Sequence, residues 1–378
     1  MIITGLKWIP YRLPFAGIFG TAQANLRVRE GFIIRLETDS GLVGLGEAAP
    51  LSEFGAGYPA DVDRWLSHLR PGLIGQPLAV IETHLALLLE KGGPGVAATA
   101  FGLETAAFDV LSQAADLPLS DWLAAITINS RGRHSAKTVP VNATIGQPDN
   151  QAACDAAHQA VATGFRCVKL KVGMESMVAG EVARVGAVRE AIGPEVKLRL
   201  DANGGWKVPQ AIETLRALEQ FDLELVEQPV AATDLSGMAD VRRSINNNIL
   251  IAADEPVTSL AAARAIIQAG AAGCLVIKPM VVGGLRAGLQ IIELAQAAGL
   301  DCFVTTTLDS GVGIAAALHL SAKLPDPMPY CGLATASLLT GTLVQELPPV
   351  ENGDMLVPQR PGLGVDLLPE FLELFTSS

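Results

Sequence analysis

From residue 139 onward the chain alternates short β-rich runs with longer amphipathic stretches, and few folds accept that rhythm. The runs are VPVNAT at 139–144, CVKLK at 167–171, KLRLD at 197–201, LELVE at 223–227, ILIAA at 249–253, CLVIK at 274–278, CFVTTT at 302–307 and YCGLAT at 330–335. Between them apolar residues recur with helical spacing at about 149–163, 176–191, 208–220, 232–243, 258–269, 283–298 and 311–323. Strands joined by helical crossovers pair in parallel. Eight of them in units of roughly 25–30 residues predict a (β/α) barrel. An open doubly wound sheet would need a glycine-rich phosphate loop after its first strand, and VNATIGQPDN is not one.

The first 130 residues read differently. Residues 2–12 and 31–38 have strand character, and the turn at Asp39–Gly41 makes 31–48 a hairpin. Helical spacing follows at 60–69, 78–91 and 96–115. Strands followed by helices indicate an α+β unit. The polar segment NSRGRHSAKT at 129–138 reads as a linker. The expected organisation is an α+β unit over 1–130, a barrel over 139–340, and a proline-containing tail over 341–378 that packs back on the first unit.

Composition narrows the function classes. The chain has 378 residues, 49% apolar and 17% charged, so a large buried core is expected. A net charge of −12 gives no attraction to nucleic acid or to an anionic membrane surface. No apolar run is long enough to span a bilayer, and MIITGLKWIPYRLPF lacks the pattern of a signal peptide. The five cysteines form no CxxC pair and no cluster with histidine, which argues against zinc and for a reducing compartment. A cytoplasmic protein acting on a small molecule is the expectation. A homo-oligomer stays open.

The predicted strands end in charges. CVKLK carries Lys169 and Lys171, KLRLD ends in Asp201, LELVE in Glu227 and CLVIK in Lys278, while Asp254 follows ILIAA. In a parallel barrel these ends converge on one mouth, where active sites are built. A single acid at a strand end is most simply a cap for the next helix. Caps, however, do not require lysines at neighbouring strand ends. Three carboxylates brought together would repel one another, and a divalent cation removes the conflict. Mg²⁺ suits oxygen-only ligands and keeps positions open for substrate and water. A lysine beside such a cation and a second lysine would release its proton more readily and serve as a base.

With these residues in place, the chain resembles the enolase superfamily, in its muconate lactonizing enzyme subgroup. The motifs are KLK at 169–171, LDAN at 200–203, VEQP at 226–229, ADE at 253–255 and IKP at 277–279, and REGFIIRLETDSGLVGLGEAAP at 29–50 is similar to that family's capping domain. The resemblance implies a modified barrel, (β/α)7β, with an N-terminal α+β cap completed by the C-terminal tail. It implies that Asp201, Glu227 and Asp254 hold Mg²⁺, for which Mn²⁺ would substitute. It implies that Lys171 and Lys278 act on opposite faces of a carboxylate substrate, with Lys169 tuning Lys171. The branch that resembles mandelate racemase would need a histidine near the seventh strand, and that strand runs into TTTLDSGVG.

The shared motifs leave three reactions open: cycloisomerisation of muconates, racemisation or epimerisation of amino acid derivatives, and dehydration to o-succinylbenzoate. VPVNATI at 139–145, VIKPMVVGGL at 276–285, TTTLDSGVGIAAALHLSAKLP at 305–325 and YCGLATASLL at 330–339 are most similar to o-succinylbenzoate synthases, which serve menaquinone and phylloquinone synthesis. Such a substrate carries a second carboxylate. The helix starts at Gly283-Gly284 and at Ser310 offer N–H groups for it, although the glycines equally suit tight βα turns. Asn203 and Thr307 join them as candidate substrate contacts. Two glycine-containing loops, 13–26 and 51–59, are candidates for closing over the substrate and carry Phe15, Phe19, Phe54 and Tyr58.

Overall fold

The structure, a computed structural model, describes residues 1–20, 25–52, 56–126, 135–175, 177–245 and 249–376. Three antiparallel strands open the chain: β1 (Ile3–Gly20), β2 (Asn25–Thr38) and β3 (Val43–Ala48). Four helices follow: α1 (Pro59–Leu73), α2 (Val80–Lys91), α3 (Val96–Ala114) and α4 (Leu119–Ile126). Helix α3 is buried along almost its whole length and lies against β3. Gly44 and Gly46 permit that approach, because a Cβ at either would overlap the carbonyl oxygens of Ala106 or Gly102.

Strand β1 is longer than the sequence suggests. Phe19 and Gly20 pair with Leu26 and Asn25, so much of the expected 13–26 loop is hairpin, with an irregularity between Pro14 and Phe19. Its small residues hid the pairing, which depends on the opposite strand. Helix α4 is an element that the apolar spacing did not reveal.

Strand β4 (Thr138–Pro140) leads into the barrel, whose elements are β5 (Ala143–Ile145), α5 (Asn150–Ala162), β6 (Cys167–Lys171), α6 (Val178–Ile192), β7 (Lys197–Asp201), α7 (Val208–Leu218), β8 (Leu223–Glu227), α8 (Leu235–Ser244), β9 (Leu250–Ala253), α9 (Leu260–Gln268), β10 (Cys274–Ile277), α10 (Pro279–Val282), α11 (Leu285–Ala297), β11 (Asp301–Val304) and α12 (Gly311–Ser321). Strands β5 to β11 form a seven-stranded parallel sheet in sequence order. Side-chain caps start several helices, with Asp149, Asp234 and Ser259 each accepting from the backbone N–H three residues on.

The expected eighth strand at 330–335 contracts to Cys331 and Gly332. They bridge Val141 on one side and Thr305 on the other, both in parallel, and so join the two edges of the sheet. Asn142 N–H donates to the Cys331 carbonyl at 3.0 Å, and Gly332 N–H to that of Val304 at 3.0 Å. The chain then turns, with Thr335 N–H donating to Leu333 at 2.8 Å, which ends the pairing.

The tail contributes β12 (Val350–Glu351), β13 (Asp354–Leu356) and α13 (Pro369–Thr376). Strand β13 pairs with β4, at the entry to the barrel. Further along, Leu363 N–H donates to Asp109 of α3, and Lys7 of β1 donates to the Phe375 carbonyl. The tail thus touches both halves of the molecule. Among the described residues no helix is long and apolar enough to cross a membrane.

Candidate active site

Strand register assembles the charges. Lys171, Asp201, Glu227 and Ala252 are direct partners across β6 to β9. Side chains alternate along a strand, so Lys169 points the same way as Lys171, and Asp254 the same way as Ala252. Val168 and Leu170 are buried on the other face, which is why a strand with two charges still packs.

The carboxylate oxygens of Asp201, Glu227 and Asp254 come within 4.8 Å of one another, and all three residues are buried. Lys169 Nζ lies 3.3 Å from Asp201 and 3.1 Å from Glu227. Lys171 Nζ lies 2.5 Å from Asp201 Oδ2 and 2.9 Å from Asn203 Oδ1. Lys278 Nζ lies 2.6 Å from the Asp254 carboxylate. The lysines therefore bracket the acids, one at each end and one beneath.

Electrostatics follows from this crowding. Burial and the neighbouring Asp201 push Glu227 well above the ordinary carboxylate range, with Asp254 adding to the effect and Lys169 opposing it. Burial also works against ionised Asp201, but Lys171 and Lys169 outweigh it and hold that carboxyl low. Burial favours loss of the Lys278 proton, yet Asp254 and Glu255 outweigh it and the amine is raised. An oxygen-only cluster whose central member is destabilised by its two neighbours is what a hard divalent cation relieves, so the donor set fits Mg²⁺.

A cavity of about 640 Å³ lies over these groups. The barrel supplies its charged floor together with Thr144, Thr305, Thr306, Thr307 and Thr335. The N-terminal unit supplies an apolar wall that includes Leu26, Pro50, Leu51, Leu89 and Val96. Asn203 and Thr307 line this space; the Thr307 hydroxyl donates to Asp309 at 2.5 Å.

Gly283, Gly284 and Ser310 do not line it, which corrects the expected anion site. The N–H groups of Leu285 and Arg286 at the start of α11 donate to Glu104, at 2.5 and 3.1 Å. At the start of α12, Ser310 N–H, its hydroxyl and Gly313 N–H donate to Glu47 at 2.9, 2.6 and 2.8 Å. Both helix starts are satisfied by carboxylates from the N-terminal unit. Phe54 and the Phe19 side chain lie outside the described residues. Phe15 is buried and Tyr58 is exposed at the start of α1, so neither faces the cavity.

Several contributors escaped sequence reasoning. Glu255 lines the cavity and is pushed to about 7 by burial and Asp254. Arg29 is buried and donates to the carbonyls of Ala49, Pro50 and Leu308, pinning the cavity wall from behind. Glu47 did leave a trace, as the one charge in the strand VGLGEA.

The comparisons agree along the whole chain. A family profile described as "Enolase C-terminal domain-like" matches residues 152–371, and one described as "Mandelate racemase / muconate lactonizing enzyme, N-terminal domain" matches residues 8–124. The L-Ala-D/L-Glu epimerase of Bacillus subtilis is 31% identical over 93% of this chain and 93% of its own. The o-succinylbenzoate synthase of Thermobifida fusca is 33% identical over 88% of this chain and 80% of its own. The solved dipeptide epimerase of Enterococcus faecalis, complexed with Mg and L-Leu-L-Tyr, superposes with a TM-score of 0.86 at 27% identity, covering 97% of this chain and 100% of that one. The chain belongs to the enolase superfamily and is an enzyme of that superfamily.

Proposed function

We propose that the protein takes the proton α to a substrate carboxylate, and that its reaction is the o-succinylbenzoate synthase reaction: dehydration of 2-succinyl-6-hydroxy-2,4-cyclohexadiene-1-carboxylate to 2-succinylbenzoate. The observation that carries proton abstraction is the row of three buried acids bracketed by Lys171 and Lys278. Asp201, Glu227 and Asp254 would hold Mg²⁺, which when bound stabilises the negative charge that develops on the substrate carboxylate. Lys171 takes the α proton. As its conjugate acid it returns a proton to the departing hydroxyl, so water leaves and the ring becomes aromatic. Lys278 remains an ammonium, held by Asp254, and stabilises the same developing charge from the other flank.

Two features support this substrate over a free dipeptide. The acids that line the described cavity are Asp201, Glu227, Asp254 and Glu255. Three belong to the cation cluster and the fourth, Glu255, directly follows one of them, so none of these acids lies apart from the cation end of the cavity to receive an α-ammonium. The wall of leucine, proline and valine also suits a carbocyclic ring. Racemisation of N-acylamino acids is the second reading. It is favoured by the second lysine, because racemisation needs a proton carrier on each face and dehydration needs one.

The deciding experiment is an assay with the cyclohexadiene precursor, with and without Mg²⁺, beside N-succinyl amino acids in D₂O. Metal-dependent aromatisation is the expected result. Exchange of the α proton in both enantiomers with no turnover of the precursor would replace the first reading by the second, and inactivity towards both would remove the reading altogether.

A further inference from the structure

Glu255 has no part in the chemistry above, yet it sits at the barrel mouth. It follows Asp254, lines the cavity, and accepts from Asn203 Nδ2 at 2.9 Å through Oε1. Its Oε2 is buried and has no hydrogen-bond partner among the described residues. Asn203 presents its Oδ1 to Lys171 Nζ at 2.9 Å, and its backbone N–H donates to Asp201 Oδ1 at 3.0 Å. Its φ is +43°, a left-handed conformation that asparagine adopts more readily than most residues. The backbone is thereby committed to placing this amide between the lysine and the glutamate.

The polarity of the three groups runs one way. An ammonium only donates, and Glu255 Oε1 accepts from the amide nitrogen. A group between them must accept on one side and donate on the other, and a primary amide does both from opposite ends. The carboxylate therefore decides which end of the amide faces the lysine.

We propose that Glu255 is a positioning residue for Lys171: by holding the Asn203 amide with its oxygen toward the lysine, it fixes Nζ between Asp201 and Asn203. This rests on the reading of Lys171 as the base. Without Glu255 the amide loses the acceptor that holds its nitrogen away from the lysine, and the contact of Lys171 with Asn203 Oδ1 is weakened. Proton transfer is sensitive to displacements of that kind, with losses of about 100-fold for a misplacement of about 1 Å.

The test compares Glu255→Leu, which removes the acceptor at similar volume, with Glu255→Gln, which keeps an oxygen for Asn203. Glu255→Leu is expected to lower kcat by about 100-fold while KM stays within about threefold. Its Mg²⁺ affinity by calorimetry is expected to match that of the wild type, and Glu255→Gln should recover most of the lost kcat. A Glu255→Leu variant with undiminished kcat would overturn the proposal. So would a fall in Mg²⁺ affinity in step with kcat, which would place Glu255 among the cation's ligands. If the wild-type protein turns over neither substrate class, the functional reading fails by itself. A crystal structure of Glu255→Leu then decides the positioning: Lys171 Nζ withdrawn from Asn203 Oδ1 supports it, and an unmoved contact overturns it.

Discussion

At the scale of single residues, the site depends on charges that no partner outside it could satisfy. Lys171 and Lys278 each lean on an acid of the cation cluster, so truncating either removes a proton carrier or a stabilising charge and also unbalances the acids. Lys171→Ala is expected to reduce turnover by about 1,000-fold with the fold retained, as judged by circular dichroism. Lys278→Ala should lose about 100-fold or more, through charge stabilisation. Near-wild-type turnover in either variant would end the proposed division of labour. Asp254→Asn should weaken Mg²⁺ binding by about tenfold or more in a calorimetric titration, and unchanged binding would take Asp254 out of the ligand set. These residues were legible in the sequence because a charge closing an apolar run stands out against its own strand. Glu255 was not, because its meaning lies in Asn203, which belongs to a different βα loop. Glu47 shows the limit more sharply. It meets Ser310 across 263 positions of sequence, and no local pattern announces such a partner.

At the scale of elements, the helix starts show how sequence reasoning found the right kind of place and the wrong occupant. The free N–H groups at the starts of α11 and α12 do bind carboxylates, but these are Glu104 from α3 and Glu47 from β3. A substrate anion and an intramolecular one satisfy the same donors, and only the folded chain shows which is present. The alternation of strands with the longer helices of the barrel was legible because the period of the apolar pattern reports it, whereas α4 and the short α10 were not. The contraction of the expected eighth strand to two residues and the length of the β1–β2 hairpin were not legible either, because pairing depends on partners and not on composition. The Glu104 contact also sets a pH dependence. Burial raises this carboxyl from 4.5 to about 7, against the hydrogen bonds of Arg286 and Leu285. Between those values the folded state binds more protons than the unfolded one, so this contribution is complete below about 4.5 and is lost as pH rises through about 7. Glu104→Gln keeps an acceptor oxygen and does not titrate. Its melting temperature is expected to gain on that of the wild type as pH rises from 5 to 8, and a constant difference across that range would show that the Glu104 carboxyl does not titrate there.

At the scale of the whole molecule, His319 joins three parts of the chain that lie far apart in sequence. It sits on barrel helix α12 and is fully buried. Its Nδ1 accepts from Ser120 N–H of α4 at 3.1 Å, which leaves the proton on Nε2, 3.1 Å from the Leu363 carbonyl of the tail. Both nitrogens are used only while the ring is neutral, since an imidazolium has no acceptor for Ser120. Burial accordingly lowers this histidine from 6.5 to about 4, although the Leu363 contact and Asp121 oppose the shift. Between those values the unfolded chain binds more protons than the folded one, so the contribution is complete above about 6.5 and is lost as pH falls through about 4. The loss falls on the junction of barrel, cap and tail. His319→Gln can still accept from Ser120 and donate to Leu363, with a shorter reach and without the ionisation. The variant should therefore melt below the wild type at pH 7, and the gap should narrow as pH falls toward 4. Urea titrations at each pH would report the same narrowing in midpoint with the slope unchanged. A gap that stays constant from pH 7 to 4 would mean that His319 does not titrate on unfolding, and that acid destabilisation of this protein begins elsewhere.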